Sequence, residues 1–174
     1  GRTKGVFQLE SSLGKSWAKR VKPNNIEELS DLIAIIRPGC LKAVVDGKTM
    51  TQHYVDRKNE KESVTYIHPS LEPILKKTQG VLVYQEQSMQ IAQQLAGFTL
   101  EDADNLRKAI GKKKADLMAK VKEDFIEGAE KQNIVDKETA EEIFSWIEKS
   151  SRYAFNKSHS VSYAICSYWS AYAK

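Results

Sequence analysis

Cysteine, histidine and long apolar runs are all scarce in this chain of 174 residues. The two cysteines, Cys40 and Cys166, stand far apart and without metal-ligand spacing. A disulfide framework and a thiolate metal site are both excluded on that count, and free thiols in a reducing cytoplasm are the economical reading. No apolar run approaches the ~20 residues that span a bilayer, and the first residues carry no signal-peptide pattern, so no membrane partner is expected. Hydrophobic residues make up 41% and charged residues 29%, slightly apolar-poor and charge-rich but still within the globular range. Repeats and long linkers are also missing. The expectation is therefore a single domain over residues 1–174, mainly α, an irregular multi-helix arrangement with short extended segments. The chain opens on Gly-Arg-Thr-Lys and closes inside an aromatic helix, which reads as a piece of something longer.

What is present is helical periodicity broken by turn signals. Val6 to Glu10 alternates enough for a short strand or extended segment. Leu13, Trp17 and Val21 recur at fours on a helix that Pro23 ends. Asn25 with Glu28 marks the next start, in capping-box style, and Ile26, Leu29, Leu32, Ile33 and Ile36 mark its buried face. Arg37-Pro38-Gly39 reads as a turn, with Arg37 placed either as a cation at a helix C-terminus or as a ligand contact. Residues 40–66 read as a loop or hairpin excursion with a helical turn around Tyr54 and Val55, and His53 is expected on the surface. His68 lacks a second ligand at metal spacing. Met89, Ile91, Ala92, Leu95 and Ala96 form a core stripe that Gly97 ends. Thr99 and Asp102 then open a helix that buries Leu100, Ala103, Leu106 and Ile110, with Gly111 as its expected C-terminal stop. Two further helices follow, one facing Leu117, Val121, Phe125 and Ala129 inward, the other capped by Asp136.

Charge is not spread evenly. Between Arg107 and Lys122 seven bases (107, 108, 112, 113, 114, 120 and 122) face Asp116 alone, a net +6, while the whole chain carries only +4. A field that local attracts polyanions, phosphates above all. The plain alternative is a solvated lysine-rich face, and the helix dipole alone accounts for Arg107 and Lys108.

From residue 149 to 174 there is no acid, while Lys149, Arg152, Lys157 and Lys174 interleave with six aromatic rings. Cations that hold phosphates beside rings that accept stacked bases suit nucleic acid. Val161, Ile165, Tyr168 and Tyr172 also share one helical face, which favours core for several of the rings. Asn156-Lys157-Ser158-His159 precedes that helix, where free N–H groups could cradle phosphate or Ser158 or Ser160 could simply cap.

Five motifs occur in order: Gly5-Val6-Phe7-Gln8-Leu9-Glu10-Ser11, Arg37-Pro38-Gly39, Tyr84-Gln85-Glu86-Gln87, Leu106 through Lys114, and Phe155-Asn156-Lys157-Ser158-His159. Together they closely resemble the fingers region of the C-family bacterial replicative polymerases, the alpha subunit of DNA polymerase III. The likeness runs over essentially the whole chain and is weakest at residues 40–66. It implies a helical fingers domain that closes over an incoming deoxynucleoside triphosphate and contacts template DNA near the primer end. Carried over by motif, Arg107 and Lys108 face the triphosphate, and Lys112, Lys113 and Lys114 support the same positive wall. Lys157 and His159 line the nascent base-pair pocket, and Arg37 lies near the cleft. Lys120, Lys122, Arg152 and Asn156 are the expected DNA contacts. Such polymerases usually carry two arginines where this chain has Arg107-Lys108, proline where Cys40 stands and glycine where Ala154 stands, which marks a divergent member.

The resemblance also implies partners: primer–template DNA, the nucleotide, the palm and thumb of a parent polymerase, and replisome subunits, all in the cytoplasm. Nucleotidyl transfer needs carboxylates for two Mg²⁺ ions, and in this family these lie in the palm. Here Asp102 and Asp104 face different directions on a helix, and Asp46 and Asp56 lie within residues 40–66. No cofactor, catalytic residue or metal ligand is therefore expected in this chain, and alone it should be silent. The rival reading is a stand-alone helical nucleic-acid-binding module.

Overall fold

A computed structural model describes residues 2–112 and 115–174, and the mainly α class read from the sequence is the class observed. In chain order the elements are α1 (Ser12–Val21), α2 (Ile26–Ile35), α3 (Pro38–Lys42), β1 (Val44–Val45), β2 (Lys48–Thr49), α4 (Met50–Lys58), α5 (Glu72–Leu75), α6 (Gln85–Ala96), α7 (Leu100–Lys112), α8 (Ala115–Gln132), α9 (Lys137–Ser151) and α10 (Lys157–Tyr172). They divide into two compact units, Gly1–Val64 with Phe155–Lys174, and Thr65–Ala154. Among the described residues no helix is long and apolar enough to cross a membrane.

In the first unit α2 supplies the centre, burying Leu32, Ile33, Ala34 and Ile35. Asn25 caps it by accepting from the Glu28 N–H at 2.8 Å, as the sequence suggested. Helix α4 is core rather than excursion: Tyr54 is fully buried and its hydroxyl donates to Asp31 at 2.8 Å, while Thr51 donates to the Ile35 carbonyl. The antiparallel β1–β2 pair precedes it, with Val44 opposite Thr49. Helix α10 lies on α2 through small residues, burying Ser160, Ala164 and Ser167. Ser160 donates to the Ser30 carbonyl at 2.7 Å, and Ser167 donates to the Phe7 carbonyl at 2.8 Å.

Several expectations for this unit fail, each for a packing reason. Val6 to Glu10 is a run of turns, not a strand: Gln8 is left-handed, and Val6 and Leu9 go inward three apart, with the Leu9 N–H donating to the Val6 carbonyl. Leu13 points outward on α1, where Gly14 takes the buried place instead. Arg37-Pro38-Gly39 is not a free turn, because Pro38 begins α3 at the position where its missing N–H costs nothing. His53 is 8% exposed rather than on the surface, with one ring nitrogen 2.7 Å from Glu62 and the other 2.7 Å from the Val45 carbonyl. Tyr168 and Tyr172 stay outside, because the serine and alanine stripe of α10 is what α2 accommodates.

In the second unit α6 runs against α7 and α8, and α8 against α9. The core gathers Leu71, Leu75, Ile91, Leu95, Leu106, Phe125, Ile143, Phe144 and Ile147. Phe125 lies with its ring centroid 5.4 Å from Phe144 and 6.1 Å from Phe98. Gln87 is buried and fully used: it accepts from the N–H of Val83 and of Tyr84, and it donates to Thr78 and Ile74. Gly97 ends α6 in the left-handed conformation, as expected of a glycine stop. Thr99 and Asp102 bond reciprocally at the start of α7, and Asp136 caps α9 through the Thr139 N–H.

Two readings of α7 need correction. Leu100 is 72% exposed, since it sits at the first helical position and the buried face starts at Ala103. Gly111 does not stop the helix, which continues to Lys112. Its φ is not positive, and burial of Ala109 and Ile110 just before it outweighs the ~1 kcal/mol helix penalty of a glycine.

Gly128 on α8 approaches Ala96 so closely that a Cβ there would overlap the Ala96 carbonyl oxygen and backbone carbon. Backbone on both sides has no flexible end to yield. Gly128→Ala is expected to destabilise by about 1–3 kcal/mol in urea unfolding followed by circular dichroism, despite its better helix propensity. A second expectation concerns acid. Partial burial pushes the Glu62 carboxyl up, but bonds from Lys48, His53 and Arg57 win and bring it from the ordinary 4.5 to about 2. A depressed carboxylate contributes stability that is full above its unfolded value and lost as pH falls through the folded one. Between pH 4.5 and 2 the wild-type chain should therefore lose stability more steeply than Glu62→Gln, read from unfolding midpoints across that range.

Candidate functional site

The expected site residues fall into both units. Arg37, Asn156, Lys157 and His159 belong to the first; Arg107, Lys108, Lys112, Lys120, Lys122 and Arg152 belong to the second. Lys113 and Lys114 lie outside the described residues.

In the first unit the chain entering α10 gathers rings. The Arg37 guanidinium lies 4.3 Å above the Phe155 ring. Phe155 meets His159 edge-on at 5.5 Å, His159 tilts onto Tyr163 at 4.2 Å, and Tyr163 meets Phe7 at 5.2 Å. His159 and Tyr163 stand four apart on one face of α10, and Phe155 lies just before the Asn156 N-cap, within ring contact of His159. This ladder places the Phe7 and Phe155 motifs together from opposite ends of the sequence. Arg37 also donates from Nε to the Ala34 carbonyl at 2.7 Å, which fits the reading of a cation at the end of α2. Burial pushes the nearby Cys40 thiol up, against the opposing pull of Arg37.

Asn156 has a structural task. Its side-chain oxygen accepts from the His159 N–H at 2.9 Å and from the Ser158 hydroxyl at 2.7 Å, so it is the N-cap of α10 in place of Ser158 or Ser160. Lys157 opens the helix and is exposed, as is His159. Cation, imidazole and hydroxyl thus surround a helix N-terminus, a combination that suits phosphate and stacked bases.

In the second unit Arg107 and Lys108 share one acid. Arg107 Nη2 lies 2.7 Å from Asp104 Oδ1, and Lys108 Nζ lies 2.8 Å from Oδ2. The bonds from Lys108 and Arg107 lower the Asp104 carboxyl. The i+3 and i+4 spacing makes this pairing legible in the sequence. Arg107 and Arg152 also line one cleft of about 120 Å³, together with Gln85, Ser88, Gly111 and Ser151. Arg152 pairs with Glu148 at 3.2 Å. Lys120 lines a different groove with Asp102, Asp124 and Glu127, a mixed-charge setting. Lys112 and Lys122 are exposed. Phe155 was read from the sequence as part of its motif and as one of the interleaved rings, but its contact with Arg37 was not, and Ser151 was not singled out.

Among the described residues no group of three or more His, Cys, Asp or Glu could hold an ion. Asp102 is occupied by Thr99, Asp104 by Arg107 and Lys108, and Asp56 by Lys48 and Gln52.

Similarity to known proteins decides the family. Residues 1–133 match the model of the bacterial DNA polymerase III alpha subunit finger domain. The chain belongs to that family. It is 49% identical over its whole length to the DNA polymerase III subunit alpha of Aquifex aeolicus, covering 14% of that protein. Against the same subunit of Haemophilus influenzae it is 48% identical over 99% of the chain, and against that of Escherichia coli K12 it is 46% identical over 99%, covering 15% of each. The chain thus spans about one seventh of the curated relatives it matches. All five motifs that carried the resemblance lie in these aligned stretches, and the family match ends before the Phe155 to His159 motif, which the relatives' alignments do include.

Asn156→Ala is expected to cost about 1 kcal/mol of stability, with Asn156→Ser recovering most of it, in chemical unfolding. A DNA-binding role without capping would leave the unfolding midpoint unmoved.

Proposed function

We propose that this chain is the nucleotide- and template-binding fingers of a DNA-directed DNA polymerase, serving replication in the cytoplasm. Family membership combined with the net +6 between Arg107 and Lys122 carries the reading. Arg107 offers a planar fork to two phosphate oxygens, while Lys108 offers a point charge. Both are held by Asp104 in exposed pairs. Exposed pairs contribute little, so a triphosphate can replace Asp104 at small cost. The cations then draw charge off the leaving pyrophosphate and hold the substrate for in-line attack. Lys112, Lys113 and Lys114 add to the same positive charge, Lys120, Lys122, Arg152 and Asn156 meet DNA, and Arg37, Lys157 and His159 are nucleotide contacts of the first unit.

Metal chemistry belongs elsewhere in this reading. Asp102, Asp104 and Asp56 are committed to caps and ion pairs and do not fit a two-Mg²⁺ site, which is expected in the parent's palm. The chain alone is accordingly inactive, and palm, thumb and replisome subunits are its partners through the parent polypeptide.

The test is binding of labelled primer–template DNA across a salt series, for the wild-type chain and for a variant with Lys112, Lys113 and Lys114 changed to Ala. The log–log slope should become shallower by about 0.9 for each phosphate that the variant no longer neutralises. An unchanged slope and affinity would remove the lysine wall from the DNA interface.

A further inference from the structure

Helix α10 carries a second stripe beside the serines and alanine that lie on α2. Ile165, Tyr168, Trp169 and Tyr172 follow the i, i+3, i+4, i+7 spacing of a helix face that packs against an apolar surface. Among the described residues that face stays open: Tyr168 is 54% exposed, Trp169 64% and Tyr172 82%. Tyr168 and Tyr172 stack with centroids 6.2 Å apart, which joins them into one ring surface. The first turn of α2 adds Ile26, itself exposed. Pro23, Ile26 and Leu29 on that side, with Ile165, Tyr168 and Trp169 on the other, line a groove of about 440 Å³. Apolar residues exposed singly are ordinary, whereas a contiguous apolar groove marks a surface that something covers.

Charge indicates the occupant. Among the described residues none that lines the groove is charged, and its two amides belong to Asn24 and Asn25. A DNA single strand needs cations along its track, so an uncharged floor suits apolar side chains instead. The rim is positive: Ser11 to Ile26 holds Lys15, Lys19, Arg20 and Lys22 without an acid, and residues 149–174 hold no acid either. Lys22 directly precedes Pro23 and is exposed, as is Lys19. Of the acids that follow, Glu27 and Glu28, the second is taken by the Asn24 N–H and by Lys58. An apolar floor with a basic rim is complementary to an amphipathic helix that carries carboxylates along its flank. Taking the chain as one part of a polymerase polypeptide, we propose that this groove docks an acidic amphipathic helix of that parent, outside residues 1–174. Most of such a parent lies outside them, since the chain spans about one seventh of its relatives. A helix tethered to the same polypeptide is present at high effective concentration, so the groove fills without tight intrinsic binding.

Two measurements test this. In the purified parent polypeptide, Trp169→p-benzoylphenylalanine is irradiated and the cross-linked peptides are mapped by mass spectrometry. The adduct should fall within the parent's own sequence, on a segment with apolar residues at helical spacing and acidic flanks. An adduct joining two copies, an adduct to added primer–template DNA, or no adduct overturns the proposal. For the 174-residue chain itself, the probe is a fluorescent synthetic helix with leucine at i, i+3, i+4 and i+7 and glutamate on its flanks. Its counterpart carries lysine in place of each glutamate. By fluorescence anisotropy at low salt the glutamate helix should bind, and the lysine helix should bind at least about tenfold more weakly. Trp169→Ala should weaken the glutamate helix by about tenfold or more, with the helical circular-dichroism spectrum retained because the ring is exposed. Lys19→Glu combined with Lys22→Glu should reverse the preference between the two helices. Equal affinity for both helices overturns the groove as an acidic-helix site. Selective binding without an intramolecular adduct overturns the parent as its occupant, and the DNA salt series still tests the fingers reading separately.

Discussion

Close backbone approach between helices, permitted by small side chains, is the constraint from which both units are built. In the second unit Gly128 meets the Ala96 backbone, and this contact sets α8 against α6 with α7 packed beside both. In the first, Ser160, Ala164 and Ser167 let α10 lie on α2, with hydroxyls that bond carbonyls distant in sequence. Helices packed this tightly have little freedom to rotate. The candidate side chains inherit that rigidity: Arg107 lies on α7 beside the buried Ala103 and Ile110, and His159 is held between the Phe155 and Tyr163 rings.

Electrostatics then works at two ranges. The net charge of residues 107–122 acts over a Debye length, about 8–10 Å at physiological salt, and attracts polyanions whatever the local pairing. At contact range the same cations are not idle. Asp104 holds Arg107 and Lys108, and Glu148 holds Arg152. Ion pairs as exposed as these contribute little to stability, so they orient the cations at small energetic cost. The first unit shows the opposite arrangement at Glu62, where three donors and partial burial build a network meant to persist.

Much of the helical plan was legible because its signals are local. Asn25, Gly97, the Thr99–Asp102 pair and Asp136 act within four residues of where they stand, and the stripes ending in Leu95 and Ala129 keep a single period. Legibility stopped where local signals conflicted with packing. Gly111 looked like a stop, yet the buried Ile110 beside it carried the helix onward. The rings of α10 looked like core, yet the small residues won the buried face. His53 looked like surface because its partners, Val45 and Glu62, lie on either side of it beyond any helical spacing.

The sequence by itself determined the helices, their caps, the clustering of positive charge and the family to which the chain belongs. Each depends on residue identity and on spacings of a few positions. Only the tertiary structure decided that Lys48, His53 and Arg57 converge on Glu62, which rings stand outside, and how Phe7 reaches the Phe155 ladder. Those outcomes depend on which residues distant in sequence are brought within hydrogen-bond reach, as with Ser160 and Ser30, 130 positions apart, and no short-range pattern encodes that meeting.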